Sequence, residues 1–128
     1  MTFALWTLLL VACLPLIWVG AAKFGAKGYN NHTPRLWLAK LEGWPQRANW
    51  AQVNAYEAFP PYAAAVLTAQ FVGGNQVAID IVAGVFLLCR VLHGVFYIQD
   101  KDGARSIVWT VGFFSIIAMF MVAAWTSP

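Results

Sequence analysis

The chain has 128 residues, of which 61% are hydrophobic, 16% aromatic and only 10% charged. A soluble domain carries about 25% charged residues, and a core of this size cannot hide so much apolar surface. That excludes a cytosolic globular enzyme, a disordered chain and, with two cysteines, a disulfide scaffold, and leaves a small integral membrane protein.

Residues 2–22 hold no charged side chain and match the length of about 20 residues that a membrane-crossing helix needs. Nothing before Lys23 is positive, so the segment lacks the basic start of a cleaved signal and reads as a retained first span. The connection over about 24–45 contains Gly25, Gly28, Asn30, Asn31, Pro34, Gly43 and Pro45, all turn-forming residues. Its apolar Leu36-Trp37-Leu38-Ala39 and Trp44 are expected to rest at the membrane interface. A second span is expected over 48–72, with Pro60-Pro61 kinking it or freeing a carbonyl. Gly73-Gly74-Asn75-Gln76 reads as a tight turn into a third span over 77–98, whose outer start Asp80 is expected to cap. Asp100-Lys101-Asp102-Gly103 breaks that span from a fourth over 105–126, uncharged from Ser106 onward. The expectation is an all-α fold, with residues 1–128 forming a single four-span transmembrane domain. No repeat or low-complexity tract interrupts it.

The basic residues set the orientation. Lys23, Lys27, Arg35, Lys40 and Arg47 flank the first connection, and Arg90, Lys101 and Arg105 lie toward the third. By the positive-inside rule these connections face the cytoplasm and both termini lie outside. The net charge of +3 is then that of a basic loop beside a membrane, and calls for no nucleic-acid partner.

Ionisable groups inside a bilayer are costly and turn toward the bundle interior. On the second span Asn54 and Glu57 are spaced i, i+3 and share a face, with Arg47 two turns earlier on it. On the third span Arg90, His93 and Tyr97 form one stripe. Glu57 and Arg90 each lie about 12–14 Å from the cytoplasmic ends of antiparallel helices, so the two opposite charges are expected to pair. This pair serves either as an internal clamp or, with Asn54, His93 and Tyr97, as a polar wall open to a charged ligand. His93 alone also fits a hydrogen-bonded core role. Arg105, near the mouth of the fourth span, is either an interfacial anchor or a group that holds an anion. Cys13 and Cys89 are isolated within spans and read as packing residues. No metal-ligand spacing, phosphate loop or nucleophile triad is present.

The segment Ala51-Gln52-Val53-Asn54-Ala55-Tyr56-Glu57-Ala58-Phe59-Pro60 resembles the second-span signature of the MAPEG superfamily, the membrane-associated proteins in eicosanoid and glutathione metabolism. Arg90-x-x-His93-x-x-x-Tyr97 followed by Arg105 resembles the family's second block. The pattern is similar to the bacterial branch. The resemblance implies a four-helix protomer assembled as a homotrimer, with glutathione held between subunits at the cytoplasmic side. It implies that Asn54 and Glu57 meet glutathione's charged backbone groups, that Tyr97 lines the peptide, and that Arg90 braces Glu57 or touches ligand. Gln52 would reach the adjacent subunit's ligand, and Arg105 would stabilise the glutathione thiolate. Two positions depart: Trp50 stands where glutathione-using members have arginine, and Ala58 where they often have tyrosine or asparagine. Arg47, one turn before Trp50, is the cation expected to take over that carboxylate contact.

The expected function is a multi-pass protein of a bacterial inner membrane, acting as a glutathione-dependent transferase or peroxidase on a small lipophilic electrophile or hydroperoxide. Two alternatives are a non-catalytic protein of the same fold that binds lipid or a partner, and a small proton-coupled exporter. A glutamate held beside an arginine suits proton cycling poorly.

Overall fold

Thr2 opens the first helix by accepting the Leu5 N–H on its hydroxyl, and the uncharged run carries that helix to Phe24. In the computed structural model, which describes residues 1–126, five helices follow in chain order. They are α1 (Phe3–Phe24), α2 (Pro34–Ala39), α3 (Gly43–Phe71), α4 (Gln76–Ile98) and α5 (Asp102–Thr126). Among the described residues there is no strand. α1, α4 and α5 are each long and apolar enough to cross a membrane, whereas α3 carries the charged Arg47 and Glu57 and lies outside that set.

Two local features differ from the sequence expectation. The first connection is not wholly loop. Pro34, which needs no N–H donor in a first turn, starts the one-and-a-half-turn α2. Leu38 is drawn from the interface into a buried cluster with Ala22, Leu41 and Ala48. α3, expected from 48, starts earlier, at Gly43, and runs through Pro60 and Pro61. Those prolines lack the N–H groups that would bond the Tyr56 and Glu57 carbonyls, so the helix continues with two backbone acceptors left open.

The turns follow the residues. Gly73 takes φ +72°, open to glycine without a Cβ clash, and Asn75 accepts the Ala78 N–H to start α4. Asp100 takes φ +60° and lets the Lys101 N–H close on the Phe96 carbonyl at 2.9 Å. Asp80 has a different role from the one expected. Its Oδ1 accepts the Ala4 N–H of α1 and the Gln76 side-chain amide, both at 2.9 Å. It therefore caps α1, while Asn75 caps α4.

α3 and α4 form the central pair, with α1 against both on one flank and α5 against both on the other. The half of the core around the start of α1 is built on Val11, Tyr62, Val66, Ile79, Phe86 and Met119. Tyr62 stacks on Phe86 with ring centroids 3.8 Å apart, and its hydroxyl meets that of Thr7, which donates to the Ala4 carbonyl. The other half rests on small residues, Ala51 and Ala55 under Leu14 and Trp18. Such residues let helix backbones approach closely. Gly94 is the tightest case, because the Trp18 ring occupies the space a methyl group would need. The outward faces of α1, α4 and α5 carry exposed Leu9, Leu16, Ile81, Leu88 and Phe114, the arrangement suited to a hydrocarbon surround.

Candidate functional site

Arg90 is 4% exposed, on the inner face of α4. A buried cation requires compensation, and the expected ion pair with Glu57 is not what supplies it. The Arg90 Nη2 donates to Asn54 Oδ1 at 2.6 Å, and the Asn54 amide in turn approaches Glu57 Oε2 at 3.5 Å. Asn54 thus stands between the charges, because its place one turn before Glu57 brings its amide to the α4 side of α3. Glu57 itself is exposed on the flank. The same guanidinium lies 3.5 Å from His93 Nδ1. Arginine can only donate, so this ring nitrogen is the acceptor. The Arg90 Nε is buried with no hydrogen-bond partner among the described residues.

Asn54, Glu57 and Arg90 form the polar end of a cleft of about 230 Å³ between α3, α4 and α5. Its apolar wall comes from Phe86, Trp109, Phe113 and Ile116. Arg105, Trp109, Gly112 and Ile116 fall at i, i+4, i+7 and i+11, one face of α5. The Trp109 and Phe113 rings lie parallel with their centroids 5.6 Å apart. Sequence reasoning missed this wall, since apolar residues in a span look alike whether they face lipid or a cleft. The i, i+4, i+7 stripe running on from Arg105 was the available signal.

Around the corner of α3, Tyr97 joins Trp50, Val53, Asn54 and Glu57 in a second, shallower recess. Tyr97 is the hub of that end. Arg105 sits over its ring at 4.3 Å, His93 meets it edge-on at 5.5 Å, and Trp50 lies 6.2 Å away. A cation over an aromatic face is attracted by the ring quadrupole and needs no acid to hold it. The Arg105 guanidinium is thereby positioned without being neutralised.

Gln52 lines a third recess, between α2 and α3, together with Arg35, Asn49 and Glu57. Arg47 stands apart from all three. Its Nε donates to the Ile98 carbonyl at 3.1 Å, one of the acceptors that a helix C-terminus leaves unpaired. Six of the eight sequence candidates, Asn54, Glu57, Arg90, His93, Tyr97 and Arg105, therefore cluster along one wall. Gln52 faces the adjoining groove, and Arg47 closes α4. No group of three or more His, Cys, Asp or Glu capable of holding a metal occurs among the described residues. This constellation can receive an anion at Arg90 or Arg105, an ammonium group at Glu57 and an apolar body along α5.

The model of one protein family, the MAPEG family, matches residues 3–125. No curated protein and no solved structure gives a match.

Proposed function

We propose that this chain, which belongs to the MAPEG family, is a four-span membrane protein that binds glutathione and uses its thiol on a lipophilic co-substrate. The observation that carries the reading is the buried Arg90 guanidinium. Among the described residues it has one amide partner and one imidazole contact, no carboxylate within ion-pair distance and an unpaired Nε, in a cleft that also opens on the Glu57 carboxylate. A zwitterionic peptide fits that separation of charge, with its ammonium group at Glu57 and a carboxylate toward the cation.

Arg105 then acts on the sulfur. A thiol is a weak nucleophile until ionised, and a nearby guanidinium favours the ionised form. Tyr97 holds that guanidinium in place through the ring contact. A bound thiolate supplies the nucleophile, either forming a thioether at an electrophilic carbon, or attacking a hydroperoxide oxygen so that the O–O bond breaks, the alcohol leaves and the resulting sulfenic acid is converted by a second glutathione to the disulfide and water. The apolar wall of Phe86, Trp109 and Phe113 gives the co-substrate a dry surface beside it.

A homotrimer in a bacterial inner membrane, with both termini on the periplasmic side, is part of the same proposal. Glu57 is exposed midway along a helix whose neighbours are apolar, and a carboxylate cannot face hydrocarbon unaccompanied. A second copy and a ligand together would cover it. Calorimetry on purified protein is expected to give glutathione heat that shrinks in Glu57→Ala and Arg105→Ala. Absence of binding by the parent protein at millimolar ligand removes the enzyme reading.

One observation favours a second reading, a non-catalytic lipid- or partner-binding member. Trp50 packs toward Tyr97 at the position where glutathione-using members carry a cation. A lipid copurifying in the cleft, with no conjugation of model electrophiles, would select it.

A further inference from the structure

We infer that the cleft between α3, α4 and α5 selects a lipophilic molecule carrying an O–H donor, a hydroperoxide or its alcohol, through the main-chain carbonyl of Glu57. The α3 helix runs unbroken from Gly43 to Phe71 across Pro60 and Pro61. A helical carbonyl is met by the N–H four residues on, or by the one three residues on in a tighter turn. For Glu57 these two positions are Pro61 and Pro60, neither of which has an N–H. Tyr56 loses only the first of its two donors, since Phe59 keeps its own. Glu57 is thus the residue of α3 whose carbonyl neither helical geometry satisfies.

That carbonyl points along the helix axis at the Pro61 nitrogen, and Glu57, Ala58 and Pro61 all line the cleft. The acceptor therefore sits in the cleft wall, one turn from the polar end. An open backbone acceptor at membrane depth is costly unless a hydroxyl, a water or a neighbouring group meets it. The nearby hydroxyls are engaged elsewhere. Along α5, Thr110 donates to the Ser106 carbonyl and Ser115 to the Val111 carbonyl, while Tyr62 meets Thr7. The Asn54 amide turns to the Glu57 carboxylate, and Arg90 to Asn54. On the α5 wall of the cleft, the Trp109 indole N–H has no hydrogen bond among the described residues. An O–H group meets both needs, since it donates to a carbonyl and accepts from an indole. An ether, an epoxide or an alkyl halide has no proton to give and leaves the carbonyl bare. The cleft of about 230 Å³, walled by Phe86, Phe113 and Ile116, takes the apolar body. As the class of co-substrate beside the thiol, this rests on the glutathione reading; as a binding preference, it needs no thiol.

The test is photolabelling of the whole protein in micelles, without thiol, by an octanol that carries a diazirine. Three competitors of one skeleton are compared, namely cumene hydroperoxide, cumyl alcohol and cumyl methyl ether. The label is expected on the α3 and α5 segments that line the cleft. The hydroperoxide and the alcohol are expected to displace it at concentrations about fivefold lower than the ether, the worth of one hydrogen bond. Pro61→Ala supplies an N–H that closes on the Glu57 carbonyl, and should bring all three competitors to one concentration. Pro60→Ala closes the Tyr56 carbonyl instead and should keep the fivefold preference. Comparison between variants in one detergent cancels unequal partition of the competitors into micelles. Both substitutions remove a proline from a helix interior and are expected to raise the melting temperature, so a preference lost in Pro61→Ala is not a loss of fold. Equal displacement by all three competitors in the parent protein overturns the inference, as does a preference that survives Pro61→Ala. Tighter binding of the hydroperoxide than of the alcohol identifies the substrate as the occupant, and the reverse its product; both orders support an O–H site. Protein that prefers the O–H competitors yet binds no glutathione keeps this inference and loses the glutathione reading. Glutathione binding with no such preference does the reverse.

Discussion

Arg90 donates to Asn54 Oδ1 at 2.6 Å, so an amide, and not the Glu57 carboxylate, is the direct partner of the buried cation. Removing the amide therefore strands a charge. Asn54→Leu is expected to destabilise by about 3–5 kcal/mol, the cost of leaving a buried ion without its partner. Arg90→Met removes the charge itself and should cost less. Thermal melts in detergent check the order, and the double variant should melt above Asn54→Leu alone. Strictly additive losses would contradict this account.

Under the proposed thiol chemistry, the contact of Arg105 with the Tyr97 ring carries a kinetic expectation. Arg105→Ala is expected to lower thiol-dependent turnover roughly 10²-fold, as loss of one preorganised charge contact does. Arg105→Lys keeps the charge and should recover part of the rate. Tyr97→Leu removes the ring under the guanidinium, and is expected to reduce turnover more than glutathione affinity. Initial rates and calorimetry on the same preparations give both quantities, and turnover equal to that of the parent protein in Arg105→Ala would remove Arg105 from the chemistry.

Arg47 gives the opposite pattern. Because its Nε is engaged by the Ile98 carbonyl, Arg47→Gln is expected to lower stability by about 1 kcal/mol, the scale of one helix-end contact. Glutathione affinity should not change. A weakened affinity with undisturbed melting would return Arg47 to the ligand.

Gly94 lies directly under the Trp18 ring. Gly94→Ala is expected to force α1 and α4 apart and destabilise by about 1–3 kcal/mol, as overpacking does. Trp18→Phe in the same chain should restore part of the loss, and each melt reports it. A Gly94→Ala chain as stable as the parent would show that the two helices separate freely.

The start of α1 offers a structural test. Asp80→Ala removes the acceptor of the Ala4 N–H, and is expected to cost about 1 kcal/mol, as loss of a helix cap does. Faster amide exchange should be confined to the first turn of α1. Fraying of α4 instead would return Asp80 to the cap expected from its position in the chain.

Much of this molecule was legible along the chain. The charge-free run before Lys23, the Gly73-Gly74-Asn75-Gln76 turn and the break at Asp100-Lys101-Asp102-Gly103 set where the long helices begin and end, because apolarity and turn chemistry act on neighbours in sequence. The stripe of Arg90, His93 and Tyr97 was visible for the same reason, since helical periodicity fixes which residues share a face. Short α2 was hidden, since six residues give too little periodicity to distinguish a helix from a turn.

What the sequence could not decide was how one helix face meets another. Periodicity leaves the rotation and axial offset of each helix pair open, and a shift of one turn exchanges one partner for the next. Only packing determined that Asn54 stands between Arg90 and Glu57, that Arg47 closes α4, and that Asp80 caps α1 in place of its own helix. Membrane character, the turns between the long helices and family belong to the chain itself. The hydrogen-bond partners of its few charged groups were settled by the small residues and the Trp18–Gly94 contact, which dictate how closely, and in what register, the helices approach.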